Sequence, residues 1–476
     1  MKPIATLVCC VCIFWLFRLV RDPNVRTSKA LWIAALWLFI AGSRPVSMWF
    51  NDAPDSSGAT SYYNGSPLEA SIFESLEAAG LIVLIRRKPQ VAAILKSNWP
   101  IVVYFAYCLL SASWSSFTDI SAKRWIKAVG DVVMVLIVLT DHEPVAALKR
   151  VMTRTGFFLL PLSILFIEAY PDLGMAPGTM MTAGVITGVT TGKNELGGTC
   201  VIWGLAFLWC LLDAYRRRRE PYRASSMIAY AVVFAMAVWL VTISSSATSL
   251  TCLLLGSALM VMTNLRWVAR RRWLVHCLAL AVLSVAVVAI FYAPSLLSTV
   301  GRNGTLTGRT DIWNQVLGMV SNPWIGTGFS SFWLGWRLEQ MWRIYWWHPL
   351  ESHEGYIEIY VNLGWIGIAL LAAMVLRGYS RAVDGVRRGM DMGTLKLAFI
   401  AVALVFNLTE SLFQSVIPAW IALLFAVTSL PPILDSNDRP SLPAKHVGEE
   451  DEDDREQLWF NPLSGRNSRV NAETMT

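Results

Sequence analysis

The sequence SHEGYIEIYVNLGWIGIALLAAMVL, residues 352–376, passes from polar residues into an apolar run long enough to cross a bilayer. A helix that spans the hydrocarbon core needs roughly 20 such residues. Similar runs recur along the 476-residue chain, of which 55% is hydrophobic and 15% charged, with a mean hydropathy of +0.48. Because backbone polar groups inside lipid must be paired within the segment, the sequence predicts an all-α polytopic membrane protein.

About 12–13 segments are candidate transmembrane helices, with ends that hydropathy places only approximately. They are residues 4–20, 30–49, 70–85, 98–114, 124–140, 152–170, 195–213, 225–243, 247–263, 273–292, 355–376, 395–412 and 416–431. The first run contains Trp15 and Arg18 and has no small-residue cleavage site. We therefore expect an uncleaved first span rather than a signal peptide.

The basic residues lie mostly in alternate short loops, such as YRRRREPYR at 215–223 and RWVARRRW at 266–273. This pattern marks cytoplasmic loops, so the net charge of +7 does not indicate nucleic-acid binding. The rule places residues 171–194 and the long loop 293–354 on the extracytoplasmic face. All eight cysteines lie in apolar runs without metal-ligand spacing, which favours neither a disulfide framework nor a zinc site.

These features divide the chain into four parts. Residues 1–292 form a first membrane domain, 293–354 a large loop, and 355–431 a second group of spans. The tail 432–476 is polar and carries an acidic run, and it has too little apolar surface to order itself. We expect this tail to be disordered and cytoplasmic.

The long loop contains GRNGTLTGRTDIW at 301–313. Thr310 is predicted to cap a helix that begins at Asp311, which places Arg309 at the positive end of that helix. A guanidinium beside free backbone amides forms an anion site, and diphosphate is the typical anion of lipid-linked chemistry. Arg302 is a candidate second donor. The alternative is that both arginines cap the loop or contact lipid headgroups.

Residues 352–360 carry the second candidate group. If Ser352 caps the following helix, His353 lies in its first turn with Tyr356 on roughly the same face. An imidazole titrates near neutrality and can take a proton from a sugar hydroxyl. The alternative is a structural histidine. Glu354 and Glu358 lie one turn apart, and carboxylates so near hydrocarbon are suspected of function unless a basic side chain pairs with them.

Lys193 and Asn194, in TTGKNELGG at 190–198, precede an apolar run on the same predicted side as the long loop. With Arg309 they are candidates to hold a phosphate, although no strand precedes them as a P-loop requires. Arg124 lies near the same face and either lines the site or snorkels. Seven tryptophans fall between Trp313 and Trp347, which suits either an aromatic belt or stacking on sugar rings.

Four motifs together resemble those of bacterial O-antigen ligases and polymerase-type membrane glycosyltransferases. They are TGKNELGG at 191–198, ISSSATSL at 243–250, GRTDIWNQVLGMVSNPWIGTGFSSFW at 308–333 and SHEGYIEIYVNLGWIGIALL at 352–371. The resemblance implies a glycosyltransferase C-like fold in the bacterial inner membrane, with one large periplasmic loop. It also implies transfer of a glycan from an undecaprenyl-diphosphate carrier to a glycan, lipid or protein acceptor, without a metal or other cofactor.

The resemblance implies a role for each candidate. His353 activates the acceptor, with Glu354 beside it as a second catalytic candidate. The expected diphosphate-binding residues are Arg309, Arg302, Lys193 and Asn194, and the expected substrate-lining residues are Trp313, Tyr356 and Arg124.

Ligase, repeat-unit polymerase and protein O-oligosaccharyltransferase remain open as activities. A transporter of polysaccharide or lipid is the rival class. A transporter would place charged residues in the middle of broken helices, whereas here the polar motifs gather at one face, which favours an enzyme.

Overall fold

The structure is a computed structural model that describes residues 2–20, 27–50, 65–176, 184–216, 223–291 and 307–431. Within these ranges the regular structure is helical, apart from one isolated β-bridge between Met175 and Ile186. Arg302 and the tail 432–476 lie outside the described residues. The predictions for them stay predictions.

The helices follow one another along the described chain, and several are interrupted by short turns. They are α1 (Lys2–Leu19), α2 (Leu31–Ala41), α3 (Val46–Trp49), α4 (Pro67–Arg86), α5 (Lys88–Ser97), α6 (Trp99–Ser111), α7 (Thr118–Leu139), α8 (Pro144–Ala169), α9 (Pro171–Gly174), α10 (Lys193–Arg216), α11 (Arg223–Ile243), α12 (Ala247–Asn264), α13 (Arg266–Ala269), α14 (Arg272–Phe291), α15 (Thr307–Gly318), α16 (Trp336–Ile344), α17 (Gly355–Arg388), α18 (Gly393–Phe406) and α19 (Pro418–Val427).

Within the described residues, six helices are long and apolar enough to cross a membrane, namely α1, α8, α10, α11, α12 and α17. The consecutive segments Lys88–Ser97 and Trp99–Trp114 form a further candidate that is bent by 89°. The prediction of an all-α multi-pass membrane protein is confirmed. Each predicted span overlaps a helix, but the ends differ, and the predicted span 395–412 stops being helical after Phe406.

The centre of the bundle is formed by α10, α18 and α19, whose residues are buried on nearly all sides. A helix that is apolar all round can be buried against other helices on every face. Accordingly, α10 packs against α8, α11, α12, α18 and α19. The first turn of α10 and the chain that follows α18 meet at one end of this centre, where the candidate site lies.

The described part of the long loop, residues 307–354, packs onto the start of α17 through its own apolar cluster. The buried members of the cluster are Ile312, Val316, Phe332, Trp333, Leu338, Met341 and Val361. Two of them, Ile312 and Val316, lie one turn apart on α15, whereas Leu317 of the same helix is 42% exposed. The loop is therefore a packed unit and not a free connection.

A break in α17 at Gly364 lets the loop reach the helix backbone. Gly364 has φ +66°, and a Cβ there would lie 2.2 Å from the carbonyl oxygen of Trp324, so only glycine fits without strain. At this break the amide of Ile366 donates to that same Trp324 oxygen at 3.1 Å. One turn earlier, the Asn362 side chain accepts hydrogen bonds from the amides of Ser331 and Phe332.

Candidate active site

His353 lies in the turn immediately before α17. The helix begins at Gly355 and is capped by the side chain of Glu354, which accepts a hydrogen bond from the amide of Ile357. The predicted Ser352 cap is therefore wrong, because the Ser352 hydroxyl donates to the carbonyl of Glu354 at 2.9 Å. His353 has φ +55°, a conformation that a non-glycine residue adopts only when its surroundings enforce it.

Two hydrogen bonds fix this turn. The Trp313 indole donates to the carbonyl of Ser352 at 2.9 Å, and the Ser352 amide donates to the Glu358 carboxylate at 2.6 Å. Glu358 also accepts a hydrogen bond of 2.7 Å from the Trp333 indole. The carboxylate of Glu358 is thus used to hold the loop against α17.

Arg309 lies in the first turn of α15. That helix begins at Thr307, so the predicted helix start at Asp311 with Thr310 as its cap is wrong. The Arg309 guanidinium donates from Nη1 to the carbonyl of Thr409, and its Nη2 lies 3.4 Å from Oε1 of Glu410. The side chains are 25% and 10% exposed, so this ion pair is only partly open to water.

Asn194 approaches the same carboxylate from the first turn of α10. Its Nδ2 donates to Oε1 of Glu410 at 2.8 Å. Lys193, the residue before it, is exposed. Arg309 and Asn194, which are predicted to bind one diphosphate, are therefore brought together on a single carboxylate oxygen.

His353 faces the same group from the other side. Its Nδ1 lies 2.8 Å from Oε1 of Glu351 and 4.0 Å from Oε2 of Glu410. The ring of Trp347 stacks against the imidazole at 6.0 Å between centroids, with 27° between the planes. The site thus contains a guanidinium, an amide, an imidazole and two carboxylates from four separate segments of the chain.

Burial and charge act in opposite directions on these groups. Burial alone would lower the pKa of His353, but the carboxylates of Glu351 and Glu410 outweigh it and raise this pKa above its usual value. Burial raises the pKa of Glu410 to about 7, although Arg309 opposes the shift. Burial likewise raises the pKa of the Glu354 cap to about 7. Several groups of the site therefore change charge near neutral pH.

Glu410 is positioned by residues 407–417, which connect α18 to α19. The Asn407 side chain accepts hydrogen bonds from the amides of Leu412 and Phe413 at 2.9 and 3.1 Å. The hydroxyl of Ser411 accepts a bond of 3.1 Å from the amide of Glu354. At the far end, the carboxylate of Asp131 on α7 accepts a bond of 3.0 Å from the amide of Val416. The backbone of this segment is thus anchored on both sides of Glu410.

The three residues predicted to line the substrate site make packing contacts. Besides Trp313, which bonds to the His353 turn, Tyr356 donates from its hydroxyl to the carbonyl of Leu404 at 3.0 Å. Arg124 donates to the carbonyl of Ser330 at 2.6 Å, which ties α7 to the loop. These contacts assign all three a part in holding the site together.

Three side chains of the site offer ligand atoms to a metal ion. Glu351, His353 and Glu410 each present one such atom, all within 4.8 Å of one another. Carboxylate and imidazole together suit a divalent transition metal. The guanidinium of Arg309, 3.4 Å from Glu410, opposes a cation at this position because it already neutralises one of the carboxylates.

Glu351 and Glu410 are the two residues of this group that the sequence analysis does not identify. Glu410 falls inside the predicted span 395–412, in the segment FNLTESLF, and a carboxylate within a predicted span is the signal that it has a function. Glu351 is two residues from His353, but adjacency alone does not indicate which loop side chain meets the imidazole.

Comparisons with known proteins agree with the motifs. Residues 231–372 match the family model described as O-Antigen ligase. The exopolysaccharide production protein ExoQ of Rhizobium meliloti (strain 1021) is 26% identical over 292 residues, which are 59% of this chain and 64% of that protein. The match thus spans less than two thirds of the length of this relative. The predicted resemblance to O-antigen ligase and polymerase-type proteins is confirmed, and Asn194 and Glu410 lie outside the family segment.

Proposed function

We propose, from this relationship to the O-antigen ligases, that the chain transfers a glycan from an undecaprenyl-diphosphate carrier to an acceptor hydroxyl in cell-surface polysaccharide assembly. The observation that carries the proposal is the meeting of Arg309, Asn194 and His353 around Glu410, although α10, α15 and the His353 turn are far apart in sequence. An anion-binding pair beside an imidazole is the arrangement that such a transfer requires.

In this mechanism the imidazole of His353 acts as the general base. Because Nδ1 faces Glu351, Nε2 is the nitrogen that takes the proton from the acceptor hydroxyl. The acceptor oxygen then forms a bond to the anomeric carbon of the donor sugar, and the bond from that carbon to the diphosphate oxygen breaks. Glu351 and Glu410 stabilise the imidazolium that forms.

Arg309 and Asn194 are proposed to hold the diphosphate. As the leaving group departs, negative charge grows on its oxygen, and hydrogen bonds from a guanidinium strengthen with that charge. Lys193 and, in the undescribed part of the loop, Arg302 are proposed as further donors. The proposed site lies on the periplasmic face of the inner membrane, the side on which the positive-inside rule places these segments.

The test uses purified protein in lipid nanodiscs, a polyprenyl-diphosphate-linked glycan and a hydroxyl acceptor. The two products, the glycosylated acceptor and the released polyprenyl diphosphate, are both measured. Arg309→Lys keeps the charge but loses the planar fork that grips two phosphate oxygens, so donor affinity and transfer should both fall by about tenfold or more. Arg343→Lys is the matched control, because Arg343 is on the same loop and its side chain is 82% exposed. Unchanged donor affinity in Arg309→Lys would remove Arg309 from the diphosphate site.

The same assay tests whether transfer requires a metal ion and whether the protein is instead a transporter. Transfer should continue in the presence of a chelator, because in this mechanism Arg309 and Asn194 supply the groups that a metal would otherwise provide. Loss of transfer on chelation, with recovery on adding a divalent cation, would assign Glu351, His353 and Glu410 to a metal site. A transporter would move the lipid-linked glycan across a vesicle membrane without forming a new glycosidic bond.

A further inference from the structure

The two side chains proposed to bind the diphosphate, Arg309 and Asn194, already donate hydrogen bonds to acceptors within this chain. Nη2 of Arg309 and Nδ2 of Asn194 both approach Oε1 of Glu410, at 3.4 and 2.8 Å. A second nitrogen of the guanidinium donates to the carbonyl of Thr409. The carboxylate and the adjacent carbonyl therefore present two acceptor oxygens to Arg309, as two oxygens of a phosphate group would.

Phospholipid headgroups can compete with the diphosphate for Arg309 and Asn194. An arginine at a membrane surface meets phospholipid headgroups, whose phosphodiesters carry one negative charge each. An open pair of Arg309 and Asn194 would bind such headgroups as well as the donor. A diphosphate differs because it carries more charge and offers more acceptor oxygens, and charge-assisted hydrogen bonds to it are correspondingly stronger.

We propose that Glu410 is a specificity-determining residue that reserves Arg309 and Asn194 for diphosphates and excludes singly charged phosphodiesters. When ionised, its carboxylate is a singly charged occupant that is tethered to the site, so its effective concentration exceeds that of a lipid headgroup. A phosphodiester of equal charge does not displace it, whereas a diphosphate does. The inference rests on the proposed function, since it takes Arg309 as a diphosphate-binding residue.

The surroundings of Glu410 allow this exchange without moving the backbone. Residues 407–417 are anchored through Asn407, Ser411 and Val416, so the backbone stays in place when the diphosphate enters. The Glu410 side chain rotates away, and the Arg309 side chain turns from the carbonyl of Thr409 to the diphosphate. Rotation of side chains is a fast and small motion. The binding site can therefore open without a lid.

The charged groups facing Glu410 come from three segments. They are Arg309 on α15, Glu195 on α10, and Glu351 and His353 in the turn before α17. The two carboxylates among them repel an anionic occupant. This repulsion adds to the barrier against a weakly held monoanion, and a diphosphate overcomes it through its larger number of bonds to Arg309 and Asn194.

The experiment measures binding of a fluorescent polyprenyl diphosphate to the full-length protein in two kinds of nanodisc. One contains phosphatidylcholine alone, whose choline neutralises its own phosphodiester, and the other also contains phosphatidylglycerol, whose phosphodiester is not neutralised. The parent protein should bind the probe about equally in both. Glu410→Gln should bind it about tenfold more weakly in the phosphatidylglycerol discs than in the others, because the anionic headgroup now competes. If Glu410→Gln is as insensitive to phosphatidylglycerol as the parent, the inference is overturned.

Two controls make the result specific. Glu339→Gln removes an exposed carboxylate of the long loop and should behave as the parent does, since Glu339 contacts only Arg343 at 4.0 Å among the ion pairs of the described residues. If Glu410→Gln is not recovered in folded form, Glu410→Asp takes its place. That variant retracts the charge by one methylene, so it should show the same lipid sensitivity to a smaller degree, and its absence would equally overturn the inference.

Arg309→Ala distinguishes failure of this inference from failure of the proposed function. If Arg309→Ala loses probe binding in both kinds of nanodisc while Glu410→Gln stays insensitive to phosphatidylglycerol, the diphosphate site stands and the role of Glu410 is refuted. If Arg309→Ala binds the probe as the parent does, the proposed diphosphate site is itself wrong.

Discussion

Replacing His353 by glutamine separates proton transfer from the other contributions of this residue. Glutamine is similar in length and still offers a hydrogen bond to Glu351, but it cannot take up a proton near neutral pH. The His353 side chain is only 28% exposed, but glutamine is close to it in size, so the exchange removes little buried surface. We therefore expect normal insertion and nearly normal donor binding in His353→Gln.

The rate should nevertheless fall steeply. A positioned general base contributes about 10²- to 10⁴-fold, which corresponds to about 2.7–5.4 kcal/mol of transition-state stabilisation. A weakened contact to the partly exposed Glu351 accounts for much less, since such pairs contribute about 0–1 kcal/mol. A loss of two to four orders of magnitude in glycan transfer therefore indicates the base and not the lost contact.

His348 provides a matched control in the same loop. Like His353 it has a positive φ, of 53°, and its ring stacks on a tryptophan, Trp342, at 4.6 Å between centroids. His348→Gln thus reproduces the loss of a stacked imidazole from a left-handed position, and it should leave transfer near the parental rate. Near-parental transfer by purified His353→Gln would refute the reasoning and direct attention to Glu354 and Glu358.

Two further predictions concern pH and topology. His353 must be neutral to act as a base, and ionised Glu410 holds Arg309 away from the donor, so kcat/KM should pass through a maximum near neutral pH. The fall in kcat/KM on the acid side should disappear in His353→Gln, and the fall on the alkaline side should disappear in Glu410→Gln. An alkaline fall that survives in Glu410→Gln contradicts the role given to Glu410. A cysteine in place of Glu339 should react with an impermeant thiol reagent in intact spheroplasts. A cysteine in place of Met390, which lies between the predicted spans 355–376 and 395–412 on the predicted cytoplasmic side, should react only after lysis. The reverse pattern rejects the proposed orientation.

The sequence predicts the helical architecture because a bilayer restricts the chain strongly. Inside hydrocarbon the backbone must pair with itself, so an apolar run of sufficient length becomes a helix whatever its neighbours are. Hydropathy does not determine where such a helix ends. The predicted span 395–412 runs past Phe406, but the side chain of Asn407 accepts hydrogen bonds from the amides of Leu412 and Phe413, and the helix ends there.

The sequence predicts part of the candidate site for a similar reason. Arg309 and His353 stand out because they lie in polar motifs, and Asn194 because it precedes an apolar run. The predicted helix caps at Thr310 and Ser352 are wrong because a hydroxyl near a helix start has more than one possible partner. Sequence spacing does not show that the Ser352 hydroxyl donates to the carbonyl of Glu354 instead of capping the helix. Trp313, Tyr356 and Arg124 are predicted to line the substrate site because they are polar or aromatic and lie near the other candidates, either in the sequence motifs or on the same predicted face. In the structure each of them donates a hydrogen bond to a backbone carbonyl.

Glu410 shows why the remainder of the site requires the structure. A carboxylate within a predicted span indicates either that the span is predicted too long or that the carboxylate has a function, and its neighbours in sequence do not distinguish the two. The distinction depends on Arg309 and Asn194, which lie 101 and 216 residues away in the chain and meet the carboxylate only through the packing of α10, α15 and the 407–417 segment. Since a buried carboxylate without such partners would be costly, the guanidinium and the amide account for its position. In the proposed function, the same contacts make Glu410 the residue that the incoming diphosphate displaces.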